Sequence, residues 1–74
     1  MWIPKEHDLV ILTEPVEVVT PYPGIVKTKI GTKGTIVSVL DGAYYVEIAD
    51  GGYESEIVTV LPNQMERDHE HTNL

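Results

Sequence analysis

The stretch KIGTKGTIVSVLDGAYYVEIADGG, from Lys29 to Gly52, decides how this chain folds. Within it, Thr35-Ile-Val-Ser-Val-Leu40 and Tyr44-Tyr-Val-Glu-Ile-Ala49 are rich in β-branched and aromatic residues, and Asp41-Gly42 stands near the join. Two such runs divided by Asp-Gly read as a hairpin, because that dipeptide favours the primed turns whose twist matches that of the flanking strands. Side chains alternate along a strand, so Tyr44, Val46 and Ile48 share one face and Tyr45, Glu47 and Ala49 the other. The first set is expected in the core. Asp50-Gly51-Gly52 marks the next turn, and Gly31 and Gly34 read as a tight turn into the first run, where a positive φ would strain any β-branched residue. Gly31, Gly34, Gly42 and Gly51 are therefore assigned as structural turn residues.

Working outward, Asp8-Leu-Val-Ile-Leu-Thr-Glu14 is a further short apolar run, closed by Pro15. The segment from Pro15 to Gly34 holds Pro15, Pro21, Pro23, Gly24, Gly31 and Gly34, a density of breakers that permits only short extended pieces within one long excursion. From Tyr53 to Leu61 a β pattern resumes, but Ile57, Val58, Val60 and Leu61 are all apolar and leave the register open. After Pro62, Asn63-Gln-Met65 reads as a single turn whose methionine plugs the end of the core. No helical period appears. Short strands at close spacing, separated by Gly and Asp turns, predict an all-β chain: a small SH3-like barrel of about five antiparallel strands with a long loop between the first two strands. Residues 1–65 are expected to form this single domain and residues 66–74 a polar, flexible tail. The pattern does not show which sheet edge is open, so a homo-oligomer formed by strand addition is also an expectation.

The chain has 74 residues and no cysteine, which allows one domain and excludes disulfides, thiolate metal sites and a thiol nucleophile. That favours a cytoplasmic location. Neither a signal peptide nor a membrane-spanning helix is expected, because the apolar runs are strand-sized. The net charge of −7 is placed unevenly: residues 1–34 balance four acids with four lysines, whereas residues 35–74 carry eight acids against Arg67 alone. Such a field attracts a basic partner and argues against general nucleic-acid binding.

No catalytic, cofactor or metal site is expected. Gly31-Thr-Lys-Gly-Thr35 lacks the helix start that a phosphate loop needs. His69-Glu-His71, beside Asp68, lies in the tail without a rigid second shell, and His7 next to Asp8 reads as a surface hydrogen-bonding pair. Ser38 and Ser55 have no histidine nearby in the central strands, and the pair Glu54 and Glu56 lacks a deep pocket to raise a carboxyl pKa. Lys27, Lys29 and Lys33 are the local concentration of positive charge. Tyr22, between two prolines, is the leading candidate contact residue, joined by Tyr45 and Tyr53 if they face outward. Tyr44 is assigned to the core and Trp2 to a lid over one end.

The order Asp8-x-Val10-x-Leu12, Gly31-x-x-Gly34-Thr35-x-Val37, an Asp-Gly turn, Tyr45-x-Glu47 and Val58-Thr-Val-Leu61 resembles the bacterial family described as domain of unknown function 4926. The resemblance spans His7 to Met65 and implies an SH3-like barrel without an established activity. It further implies a small stand-alone protein that docks to another protein, as an accessory subunit or as the antitoxin- or immunity-like neutralising partner of a toxin. The Pro-rich segment from Pro15 to Gly24 departs from that pattern. Gly31-x-x-Gly34 also resembles the turn of KOW-type modules, which implies RNA binding through Lys27, Lys29 and Lys33 as the alternative.

Overall fold

The computed structural model describes residues 2–18, 26–48 and 56–68. Its strands are β1 (Leu9–Leu12), β2 (Glu17–Val18), β3 (Val26–Lys27), β4 (Lys33–Val39), β5 (Tyr44–Ile48), β6 (Glu56–Val60) and β7 (Met65–Arg67), with one 3-10 turn (Pro62–Gln64) before β7. Five strands form a sheet in the order β6-β5-β4-β1-β7, and β2 pairs with β3 inside the long excursion. All pairings are antiparallel. The all-β class, the five principal strands and the long connection between the first two of them agree with expectation. Among the described residues the sheet ends at β6 and β7 without a ladder joining them.

Alternation builds the core. Val10 and Leu12 of β1, Ile36 of β4, Val46 and Ile48 of β5, Val58 and Val60 of β6, and Met65 of β7 are buried together with Val16, and Trp2, Val18 and Tyr44 pack against them. The cluster is mostly valine, and a chain of this size buries a comparatively small fraction of its surface, so each contact counts. Trp2 adds a polar tie, its indole Nε1 donating to the Asp8 carboxylate at 3.1 Å.

Three expectations need correction. Glu66 and Arg67, assigned to a frayed tail, extend β7 and pair with Ile11 and Val10, and Asp68 is buried with its amide on the Leu9 carbonyl at 2.9 Å. The outer edge of β1 would otherwise carry unpaired amides and carbonyls beside the core, and that edge is invisible to local composition. Residues 69–74 lie outside the described residues. Gly34, assigned to a turn, lies inside β4 with an ordinary backbone conformation; only Gly31 (φ 91) and Gly42 (φ 83) among the described glycines are left-handed. The Asp41-Gly42 turn is closed by the Leu40 amide on the Ala43 carbonyl at 2.9 Å. Since Asp41 does not share the positive φ of Gly42, this is not the doubly left-handed primed turn. The β4–β5 register shifts between Ile36 and Ser38, a bulge that re-aims the strand ahead of the turn.

β1 and β4 begin in the same way. The Asp8 amide closes a turn on the Lys5 carbonyl, and the Thr32 amide closes one on Lys29. The third residue of each turn is left-handed: His7 (φ 74) in the first and Gly31 (φ 91) in the second. Each turn then runs into a one-residue bulge. His7 donates to Ile36 O while Ile36 donates to Asp8 O, and Gly31 donates to Leu12 O while Leu12 donates to Thr32 O. His7 thus occupies a position suited to glycine. His7→Gly is expected to stabilise the fold by about 0.5 kcal/mol, the margin between relief of a left-handed conformation and the added chain entropy of glycine. A melting temperature raised by about 2–4 °C would show it; an equal fall would refute it.

The base of the excursion is clasped by Val16 and Thr28, both buried. The Thr28 amide donates to the Val16 carbonyl at 2.9 Å, and the Val16 amide donates to Thr28 Oγ1 at 3.0 Å. Thr28→Val preserves shape but leaves the Val16 N–H without its acceptor, for an expected loss of about 1–3 kcal/mol. Thr28→Ser, which keeps the hydroxyl, should retain slow hydrogen exchange at the Val16 amide, whereas Thr28→Val should not.

Candidate functional site

A groove of about 520 Å³ lies between the excursion and the edge strand β6. Pro15, Val16, Glu17 and Lys27 form one bank, and Ile57, Val58 and Thr59 of β6 form the other. Leu61 and Gln64 also line it. Both banks are held from within the fold. The Val16–Thr28 clasp fixes the first. The second is held by its ladder to β5, and beside it the Leu61 amide donates to Gln64 Oε1 at 2.9 Å and the Gln64 amide to the Leu61 carbonyl at 2.9 Å, while the Gln64 carbonyl accepts from Thr13 at 2.8 Å.

The width of the groove limits what enters. β2 has Cα atoms within 8 Å of those of β6, less than the roughly 9.6 Å that two successive strand spacings require. An extra strand therefore does not fit between them along this stretch, but side chains do. The opposite edge, β7, is three residues long and bears Glu66 and Arg67, features that discourage edge-to-edge pairing.

β6 resolves the register left open by the sequence. Val58 pairs with Val46 and points inward, so Ile57 and Thr59 point outward. On this outer face Ile57 is 56% exposed and Leu61 46% exposed. Tyr45, opposite Thr59, is 40% exposed, and Glu47 is exposed opposite Ile57. The apolar lining thus continues from the groove over the outward side chains of β6 to Tyr45. Ser38 stands opposite Tyr45 on β4.

The expected contact residues divide. Tyr45 faces outward as alternation requires, and Tyr44 packs on the core. Tyr22, Tyr53 and Gly51 lie outside the described residues, as do Ser55, Glu54, His69 and His71. The three lysines fall on different elements. Lys27 on β3 is in register with Glu17, Lys29 is exposed at the turn, and Lys33 on β4 is in register with Ile11. The amides of the Gly31–Thr35 segment are not turned to an anion: Gly31 donates its amide to Leu12, and the Thr32 amide and hydroxyl both donate to the Lys29 carbonyl. The Asp8 Oδ2 accepts from Trp2 Nε1 and from the Lys5 amide, so it ties down the N-terminal turn rather than pairing with His7. Among the described residues no group of three or more His, Cys, Asp or Glu is arranged to hold a metal ion, and no helix is long and apolar enough to cross a membrane.

Sequence reasoning missed Pro15, Glu17, Ile57, Leu61 and Gln64. Ile57 and Leu61 alternate with Val58 and Val60, but apolar residues on both faces left that register open, and the places of Pro15 and Glu17 depend on where the excursion folds back. Comparison of the chain with models of protein families, with curated proteins and with solved structures finds no match.

Proposed function

We propose that this chain is a non-catalytic protein-binding module that takes an extended segment of a basic protein across the groove and the adjoining outer face of β5 and β6. The observation that carries the reading is the run of exposed Ile57, Leu61 and Tyr45 continuous with a groove whose two banks are fixed by hydrogen bonds. Exposed aliphatic and aromatic side chains beside a concavity are the anchors that binding surfaces use. The charge excess of residues 35–74 supports a basic partner, because complementary fields speed encounter and disfavour acidic competitors. Within this class, a neutralising, antitoxin- or immunity-like role and an accessory-subunit role use the same surface chemistry.

Ile57→Asp tests the reading, since the side chain is exposed and its replacement leaves the inward face of β6 intact. The parent protein and the variant, each immobilised, are exposed to native lysate with and without nuclease. A protein retained by the parent and lost by Ile57→Asp is the expected result. Equal retention by both would remove the groove, and nuclease-sensitive retention lost on substituting Lys27, Lys29 and Lys33 would replace the reading by RNA binding.

A further inference from the structure

The outer face of β5 carries a pairing of groups more specific than a general acidic field. Tyr45 and Glu47 are two residues apart on one strand face, so their side chains rise side by side about 7 Å apart at their bases. The residues directly opposite Glu47 are Thr35 and Ile57, neither of them charged, with the exposed Lys33 on the diagonal, and those opposite Tyr45 are Ser38 and Thr59. An exposed carboxylate and an exposed aromatic ring therefore stand together, with the aliphatic Ile57 diagonal to the ring.

We infer that this face holds an arginine of the bound segment, its guanidinium stacked on the Tyr45 ring and donating to the Glu47 carboxylate. A planar guanidinium presents a face to a ring and N–H groups at its edge, so it satisfies both partners at once, whereas an ammonium is a compact, strongly hydrated charge that serves them less well. The occupant is a basic partner rather than a second copy. Residues 35–74 carry the whole net charge of −7, and their only basic residue, Arg67, lies on β7 at the opposite edge of the sheet. Two copies placed face to face would oppose like fields. The inference rests on the reading of the chain as a module for a basic protein, and names the residue that the module recognises.

The test uses blocked pentapeptides with arginine, lysine or citrulline at the centre and valine on either side, titrated into isotopically labelled protein and followed by amide shifts. The arginine peptide is expected to move the amides of Tyr45, Glu47, Ile57 and Thr59, and the lysine peptide to bind about fivefold more weakly. Citrulline, close in shape but uncharged, should lose about tenfold or more. Glu47→Gln should lower affinity for the arginine peptide about tenfold, and Tyr45→Leu about fivefold, with Tyr45→Phe retaining it. Equal binding of the arginine and lysine peptides, or an arginine affinity indifferent to Glu47→Gln, overturns the inference. The peptide series on the parent protein decides even if a variant folds poorly. A native partner that requires Ile57 but not Glu47 would leave the module reading standing and remove the arginine contact; one that requires neither would remove both.

Discussion

Gly34→Ala is expected to destabilise the fold by about 3 kcal/mol, near the upper end of what overpacking a core costs. A Cβ on Gly34 would lie 2.5 Å from Val46 Cγ1, 2.8 Å from the Glu47 carbonyl oxygen and 3.0 Å from Ile48 Cγ2. The valine methyl can rotate, but the backbone oxygen belongs to β5 and moves only if the strand moves. Gly34 is in register with Ile48 on one side and Val10 on the other, so displacing it loosens two ladders in the centre of the sheet. A chain of this length has about 4–11 kcal/mol in total, which leaves the variant close to unfolding. With a urea slope of about 1 kcal/mol per molar, the midpoint should fall by about 3 M. A shift of less than about 0.5 M would show that β4 and β5 separate without penalty. Gly31→Ala gives the contrast: nothing lies within 4 Å of a Cβ there, and only the left-handed φ of 91° resists it, for about 1–2 kcal/mol.

Leu12→Ala is expected to cost about 3–4 kcal/mol, within the range for truncating a fully buried leucine. Leu12 is completely buried and among the largest of the fully buried side chains. Its amide and carbonyl bond Thr32 and Gly31, and it is in register with Met65. It therefore sits where the start of β4, the end of β1 and the start of β7 meet. The rest of the core is largely short valines with few rotamers, which fill a vacated space poorly. Leu12→Met, which conserves volume, should cost less than about 1.5 kcal/mol. Urea unfolding of the two variants checks the pair; equal losses would mean that shape rather than volume controls the site.

These two positions mark the boundary between local and distant information. Alternation in Tyr44-Tyr-Val-Glu-Ile48 placed Tyr45 outside and Val46 inside because the signal lies within the strand itself. The β4 strand starts two residues earlier than its β-branched run, since Lys33 and Gly34 are recruited by Ile11 and Val10. Glu66 and Arg67 look like tail because both are charged, yet β1 has an edge for them. In β6, apolar residues on both faces of the strand left two registers open until Val46 selected one. Of the candidate site, Tyr45 was readable in advance. The bank formed by Pro15 and Glu17 was not, because its position depends on a hydrogen bond between Val16 and Thr28, twelve residues apart.

The sequence alone determined what short-range physics controls: extended runs, the presence of turns at Gly31 and Gly42, the inward and outward faces of β5, and the charge imbalance between the halves. The tertiary structure decided why Gly34 must lack a side chain, which face of β6 turns outward, and where the groove lies. Each of those depends on the distance between segments remote in the chain, and local φ/ψ preference and side-chain alternation carry no record of that distance.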